Sequence, residues 1–152
     1  MRQFNGSEIA DNYVENLVYR DKQVEENSVI LTVDRLEMLN GKPFLDFGGG
    51  EYQKASRRKM EPVKRDEDDD YGWWNPGPGR YIAVLNESIV LEEGVFGIVQ
   101  PWRRLYMNGV SHQTVVVNKG EDEISLLLDV GEQGVEIKEN ARISVLKVFK
   151  SF

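Results

Sequence analysis

The sequence contains no cysteine and a single histidine, His112, in 152 residues. Without cysteine the chain can form neither a disulfide framework nor a thiolate metal site, and one histidine alone does not make a transition-metal site. A reducing compartment, the cytoplasm, is therefore the default expectation. The chain also lacks an apolar run near the ~20 residues that a membrane span requires, and its N-terminus lacks the apolar core of a secretion signal. We expect no metal site made by the protein side chains and no membrane partner.

Basic residues are outnumbered by acidic ones. The chain has 19 lysines and arginines against 26 aspartates and glutamates, a net charge of −7. A protein that binds long nucleic acid normally displays a basic face, and no such face is visible, so we expect no long nucleic acid partner. A single nucleotide is still a possible ligand, because a few suitably placed arginines suffice to bind it. The length, with 40% hydrophobic and 30% charged residues, predicts one globular domain over residues 1–152.

Apolar residues near the N-terminus recur at roughly helical spacing. They are Ile9, Tyr13, Val14, Leu17 and Val18. This pattern predicts a short helix between Ser7 and Arg20, with Ser7 as its N-cap and Glu8 in its first turn.

Short apolar segments separated by glycines fill the rest of the chain. They are Ser28–Val33, Tyr81–Leu85, Ser88–Leu91, Val95–Val99, Thr114–Val117, Ile124–Val130, Val135–Ile137 and Ile143–Phe149. Strands at such regular spacing, with turn residues between them, are typical of an all-β barrel or sandwich. In Ile124–Val130 the even-numbered residues share one apolar face, and Leu127 makes the other face partly apolar. We therefore expect both faces of this strand to be covered, the second one by another subunit.

Residues 54–70 form a run of basic residues followed by a run of acidic ones. Almost none of these side chains can be buried, which predicts an exposed charged loop. A cation site at Asp66, Asp68, Asp69 and Asp70 is the less favoured alternative, because contiguous carboxylates lack the spacing and the turn glycine of a calcium loop.

Three segments carry a resemblance to a known family. They are "PGPGRYIAVLNESIVLEEGVFGIV" (Pro76 to Val99), "EISLLLDVGEQGVEIKENARISVLKVF" (Glu123 to Phe149) and "NSVILTV" (Asn27 to Val33). In their order and pattern they resemble the dCTP deaminase and dUTPase superfamily. The resemblance implies an all-β fold of the β-clip, dUTPase-like barrel type with a short N-terminal helix. It also implies a homotrimer with clefts where neighbouring subunits meet, and a pyrimidine deoxynucleotide as ligand.

The same resemblance assigns candidate ligand-binding residues. The family's "GRSS" motif falls on Pro101 to Arg104, so that its two serines correspond to two arginines, and "SHQTV" is similar to the deaminase "VHPTA" run. The implied substrate-binding residues are Arg103, Arg104, His112, Thr114, Asn118 and Lys119. Arginine suits phosphate through bidentate hydrogen bonds, although an interface salt bridge is at least as good an interpretation of this pair. For His112, a polar contact between subunits is the competing interpretation.

The family's catalytic carboxylates have no counterparts in this chain. The glutamate that acts as general base in the deaminases falls on Leu127, and the acid of the "SVDLRL" segment falls on Ile30. A leucine can neither take a proton from water nor deliver one. Glu123, immediately before the same strand, is the one candidate for a replacement base, and a solvated strand-end acid is the alternative. We also expect no C-terminal tail that closes over the phosphates, since the sequence stops at Phe152.

Two classes of function therefore stay open. The first is an enzyme, a divergent dCTP deaminase or dUTP diphosphatase-type hydrolase, with Mg²⁺ as a candidate cofactor that would offset phosphate charge. The second is a non-catalytic trimeric protein on the same fold that binds nucleotides, regulates or assembles. Two tryptophans, Trp73 and Trp74, either stack a base or, more in keeping with their neighbouring prolines, anchor a loop.

Overall fold

The structure is a computed structural model that describes residues 1–120 and 123–151. It is 46% strand and 10% helix, which confirms the all-β expectation. The strands are β1 (Arg2–Gln3), β2 (Val14–Glu15), β3 (Val29–Asn40), β4 (Ser56–Lys59), β5 (Trp73–Trp74), β6 (Gly79–Ile89), β7 (Val95–Pro101), β8 (Val110–His112), β9 (Val115–Val117), β10 (Glu123–Val130), β11 (Ile137–Lys138) and β12 (Arg142–Lys150). The helices are α1 (Gly6–Asn12), α2 (Arg20–Gln23) and α3 (Arg103–Tyr106).

Ten of these strands form one curled antiparallel sheet in the order β8-β10-β6-β3-β12-β7-β9. On this sheet β1 pairs with β12, β2 with β6 and β4 with β3, while β5 and β11 form a separate pair. The curled sheet encloses an apolar core to which residues such as Leu31, Leu36, Ala83, Leu126 and Leu146 contribute, each of them fully buried. The central strand β6 therefore has β10 on one side and β3 on the other, an arrangement that positions the candidate site.

The strand boundaries differ from those predicted. Tyr81–Leu85 and Ser88–Leu91 were predicted as separate strands, but β6 runs without a break from Gly79 to Ile89. Its polar middle is accommodated because Asn86 and Glu87 bind partners on β3, including Thr32. Of the strand predicted at Val135–Ile137, only Ile137 is in a strand.

The predicted N-terminal helix is present but shorter. α1 ends at Asn12, and its N-cap is Asn5 rather than Ser7. Asn5 accepts a hydrogen bond from the Glu8 backbone N–H at 2.9 Å, and the Glu8 carboxylate accepts one from the Asn5 N–H at 3.1 Å, which completes a capping box. The chain then joins the sheet as β2, because Val14 pairs with Ile89 of β6. The pairing of β2 with β6 therefore places the start of the second half of the predicted helix in the sheet.

The charged segment at residues 54–70 contains a strand that the sequence did not predict. β4 pairs with residues Glu37 to Asn40 of β3, and all four of its residues are exposed. Among the described residues, no group of three or more histidines or acidic residues is arranged to hold a metal ion. No helix within 1–120 or 123–151 is long and apolar enough to cross a membrane.

Candidate functional site

A cleft of about 600 Å³ lies where the outer face of the sheet meets the chain segment that leads into β4. We call it the Glu123 cleft. Its lining residues are Arg35, Glu37, Lys54, Ala55, Ser56, Arg57, Glu123 and Ser125. Pockets for small ligands typically have volumes of ~300–1,000 Å³. The cleft therefore has the size of a ligand site, and its wall is rich in charge.

Strand register brings these residues to one face of the sheet. In antiparallel pairs, residues directly opposite each other project from the same face. Arg35 of β3 and Ser125 of β10 are both opposite Val84 of β6. Glu37 and Leu127 are likewise both opposite Ile82. The inner face of β10 is formed by its buried residues Ile124, Leu126, Leu128 and Val130, so Glu123, Ser125, Leu127 and Asp129 share the outer face.

The charges of the cleft form a chain of alternating sign. Arg57 Nη1 lies 3.4 Å from Glu37 Oε1, and Arg35 Nε lies 3.5 Å from Glu37 Oε2. Arg35 Nη2 then reaches Glu123 Oε1 at 3.7 Å. Exposed ion pairs of this kind contribute little to stability, typically ~0–1 kcal/mol each. They do hold two guanidinium groups toward one space, where an anionic ligand can compete for them.

The outer face of β10 has a leucine where the resemblance places the general base. Leu127 is only partly buried. The two acids of β10 lie on either side of it, and each is beside an arginine: Glu123 beside Arg35, and Asp129 with its Oδ2 atom 3.9 Å from Arg80 Nε. No carboxylate of β10 is therefore free at the level of Leu127. The acid at that level is Glu37, two strands away and held between two arginines.

His112 lies inside the protein. It pairs with Leu128 across the β8–β10 ladder and is buried. Its Nδ1 is 2.8 Å from the Gln113 carbonyl oxygen, which can only accept, so Nδ1 carries the proton; Nε2 then accepts from Ser144 Oγ at 2.8 Å. Burial lowers the pKa of His112, and the Gln113 hydrogen bond partly opposes that shift. Both ring nitrogens have partners within the chain. The ligand and subunit-contact roles stay predictions, and either would require these bonds to break.

The two candidate arginines lie on α3, next to a tryptophan rather than to the cleft. Arg103 and Arg104 are exposed in the first turn of α3. The Arg104 guanidinium lies 5.1 Å from the ring centroid of Trp102, and Arg142 approaches the same ring at 4.6 Å. These are cation–π distances. The Arg104 guanidinium therefore lies beside Trp102, and neither Arg103 nor Arg104 lines the Glu123 cleft within one chain.

The other candidate residues lie in two further places. Asn118 and Lys119 line a depression of about 250 Å³ beside β7, where Lys119 Nζ lies 3.8 Å from Glu93 Oε2. Thr114 Oγ1 is 3.4 Å from Gln100 Nε2. A single chain therefore separates the candidate residues among the Glu123 cleft, α3, this depression, the buried position of His112 and the position of Thr114 beside Gln100. Their grouping into one site stays a prediction.

The sequence analysis missed the residues that give the cleft its charge, namely Arg35, Glu37, Lys54 and Arg57. A local signal for two of them exists. In "VDRLEML" (Val33 to Leu39), polar Arg35 and Glu37 alternate with buried Leu36, as in a strand with one exposed face. The predicted strand ended at Val33 and therefore did not include this alternation. Lys54 and Arg57 had no such signal, because their place depends on the pairing of β4.

The two tryptophans that precede β6 have different environments. Trp74 is buried, and its indole N–H donates to the Met60 carbonyl at 3.1 Å. Trp73 is partly exposed and carries the Arg65 guanidinium 3.6 Å from its ring centroid. Trp74 therefore acts as an anchor for the loop.

A second buried polar group lies outside the cleft. The Glu87 carboxylate accepts hydrogen bonds from the Thr32 N–H at 2.8 Å, the Thr32 hydroxyl at 2.5 Å and the Gln23 amide at 2.8 Å. Burial raises the pKa of Glu87, against the opposing effect of these hydrogen bonds. The group is enclosed and ties α2 and β3 to β6, which makes it part of the scaffold.

Comparisons with known proteins fit this architecture. No family model matches the chain. It is 27% identical over 135 residues to a probable deoxyuridine 5′-triphosphate nucleotidohydrolase of Methanococcoides burtonii, covering 88% of this chain and 76% of the relative. Its identity to the corresponding protein of Methanosarcina mazei is 28% over 136 residues, covering 88% and 75%.

A solved structure supports the same fold. The 2′-deoxycytidine 5′-triphosphate deaminase of Agrobacterium tumefaciens superimposes with a TM-score of 0.67 at 11% identity. The match covers 96% of this chain, which spans 47% of that one. This likeness concerns the fold, and it confirms the dUTPase-like barrel expected from the sequence. Together, the curated relatives and this structural likeness are consistent with a divergent member of the dCTP deaminase and dUTPase superfamily.

Proposed function

We propose that this chain acts in pyrimidine deoxynucleotide metabolism by binding a pyrimidine deoxynucleotide in the Glu123 cleft without deaminating or hydrolysing it. The observation that carries the proposal is Leu127 on the outer face of β10, at the level of the cleft, where the resemblance places the general base. The two acids on the same face of that strand, Glu123 and Asp129, each lie beside an arginine. The similarity to the superfamily supports a pyrimidine deoxynucleotide as the ligand, and the leucine at position 127 argues against deamination or hydrolysis of that ligand.

Both reactions of the superfamily need an acid that this chain lacks at the expected place. Deamination needs a carboxylate that takes a proton from water and delivers it to the leaving ammonia. Diphosphate hydrolysis needs one that orients the water, with a metal ion to offset charge. Glu37 and Glu123 both lie near the cleft, but each is beside a guanidinium. Of these contacts, the one from Arg57 to Glu37 is a hydrogen bond, at 3.4 Å, so it occupies a lone pair that water would otherwise use.

The cleft contains side chains of the kind that bind phosphate. Arg35, Arg57 and Lys54 line it, and arginine forms paired hydrogen bonds to phosphate oxygens. A nucleotide would exchange the contacts of these arginines with Glu37 and Glu123 for contacts with its phosphates. We place the cleft at the subunit boundary of a homotrimer, in which Arg103 and Arg104 of a neighbouring subunit complete the anion site.

A second candidate function is a dUTP diphosphatase with a displaced base. The similarity to two proteins named as probable deoxyuridine 5′-triphosphate nucleotidohydrolases favours it. In that case Glu123 or Glu37 would orient the water, and Mg²⁺ would bind through the substrate phosphates.

Incubation with dCTP and dUTP, with and without Mg²⁺, separates the two candidate functions. We expect neither ammonia nor pyrophosphate to be released. Turnover would establish the enzyme instead, provided that Glu123→Gln or Glu37→Gln abolishes it and Asp129→Asn leaves it intact.

Binding itself is tested by thermal stabilisation. A ligand at a hundred times its dissociation constant stabilises the folded state by about 2.7 kcal/mol, which for a chain of this size raises Tm by roughly 2–4 °C per kcal/mol. We expect dCTP or dUTP to raise Tm on this scale, and Arg57→Ala to reduce the shift strongly. Arg58→Ala is the matched control, because Arg58 is the next residue of β4 and projects from the opposite face. Equal shifts in both variants, or no shift in the wild type, would contradict a nucleotide site in the cleft.

A further inference from the structure

The segment between β3 and β4 leaves the sheet as a two-stranded hairpin. Beyond Met38, β3 pairs with β4 alone among the strands of the described residues, and a backbone bridge between Phe44 and Gln53 continues the hairpin. We call residues 39–59 the arm. Apart from Ala55, every residue of the arm is exposed. Apart from Lys54 to Arg57, which line the Glu123 cleft, the hairpin is therefore not packed against the rest of the chain.

The arm carries large apolar side chains into solvent. They are Leu39, Phe44, Leu45, Phe47 and Tyr52. Leu45 is 83% exposed, and Phe47 beside it is fully exposed. An isolated two-stranded hairpin is marginally stable in water at best, and clustered exposed apolar groups mark interaction sites. The composition of the arm therefore suits a hairpin that another surface covers.

The arm also differs in charge from the rest of the chain. It contains Lys42, Lys54, Arg57, Arg58 and Lys59 against Asp46 and Glu51, a net charge of +3. Because the whole chain has a net charge of −7, the remainder carries −10. A cationic, apolar hairpin is thus attached to an anionic body of the same sequence. Surfaces of opposite charge steer association and suppress wrong partners.

We propose that the arm docks on the anionic body of a second copy of this chain. The body supplies the complementary charge in every copy, so no other partner is required. One side of a standard protein interface takes roughly 20–30 residues, and the arm is of that size. In a closed oligomer each copy gives one arm and receives one, which covers every arm.

The oligomeric state of arm variants of the full chain tests the proposal. We expect Leu45→Ser with Phe47→Ser to raise the dissociation constant of the assembly by about tenfold or more, since apolar anchors dominate interface energies. Lys42→Glu with Lys59→Glu should raise it as well and reduce its dependence on salt. The matched control is Val63→Ser, which removes an exposed apolar side chain outside the arm. Sedimentation over a wide concentration range gives the dissociation constants, and circular dichroism verifies the fold.

A photo-crosslinker at position 47 tests the identity of the partner. In a mixture of isotopically light and heavy chains, benzoylphenylalanine in place of Phe47 should produce light–heavy crosslinks that map to acidic surface outside the arm. A wild type that stays monomeric, arm variants with unchanged dissociation constants, or crosslinks confined to a single chain would each overturn the proposal. These readouts do not depend on nucleotide, so they remain informative if the cleft binds none.

Discussion

At the residue scale, strand position sets the surroundings of the residues that the family resemblance singles out. Leu127 cannot replace a glutamate on the outer face of β10, although its apolar side chain suits the partly covered surface there. His112 resembles a family histidine by type, but it lies on the core side of β8 with both ring nitrogens engaged. A residue can thus match a motif by type while its side chain is buried and hydrogen-bonded within the chain.

The buried imidazole leads to a pH prediction. Because burial lowers the pKa of His112 below its ordinary value of 6.5, the unfolded chain takes up this proton first as the pH falls. The contribution of His112 to the free energy of unfolding is therefore complete above pH 6.5 and decreases below it, at up to about 1.4 kcal/mol per pH unit. We expect the stability difference between the wild type and His112→Gln to narrow between pH 7.5 and pH 5.5 in urea unfolding.

Taking this difference cancels titrations that both proteins share, such as that of Glu87, whose raised pKa favours the folded state at low pH. Ser144→Ala is the control, because it removes the partner of Nε2 and leaves the imidazole to titrate. A His112→Gln difference that stays constant with pH would show that His112 titrates alike in both states.

At the element scale, one side chain holds the segment between β2 and β3 in place. The Gln23 side-chain amide donates to the Ile30 carbonyl at 2.9 Å and to Glu87 at 2.8 Å. Its oxygen accepts from the backbone N–H groups of Val18 and Tyr19, both at 2.8 Å. Gln23 is 1% exposed. Four backbone and side-chain groups would lose a partner without it, and buried groups left unpaired are costly.

We expect Gln23→Leu to lower the free energy of unfolding by roughly 2–4 kcal/mol. Each unpaired buried polar group costs ~1–3 kcal/mol, and some of the four groups will form hydrogen bonds to water instead. Hydrogen exchange should accelerate at the amides of Val18 and Tyr19 first. Lys22→Ala is the matched control, since Lys22 is exposed on the same short helix. Unchanged protection at these two amides would mean that the segment is held by other contacts.

At the scale of the whole molecule, the two proposals share one element. The segment Lys54 to Arg57 belongs to the arm and also lines the Glu123 cleft. Docking of the arm on a second copy would order this wall of the cleft through contacts outside the cleft. A bound nucleotide would order the same wall through contacts inside the cleft. Assembly and ligand binding would then be thermodynamically linked, and such coupling is reciprocal.

We therefore expect saturating dUTP or dCTP to lower the dissociation constant of the assembly. By reciprocity, nucleotide affinity should rise by the same factor as the chain assembles. Sedimentation with and without nucleotide measures one side of this linkage, and titration calorimetry at low and high protein concentration measures the other. Assembly that is indifferent to a nucleotide shown to bind would mean that the two surfaces act independently.

The sequence by itself determined the all-β class and the resemblance to the dCTP deaminase and dUTPase superfamily, and it has a leucine at position 127, where that resemblance places the general base. Strand alternation, turn glycines and the inability of a leucine to hold a proton are local properties that need no coordinates. The tertiary structure alone decided that Arg35, Glu37, Arg57 and Glu123 meet, that His112 is buried, and that β2 shortens the N-terminal helix. The physical reason is that strand register and burial are set by pairings between distant segments, which local pattern does not encode.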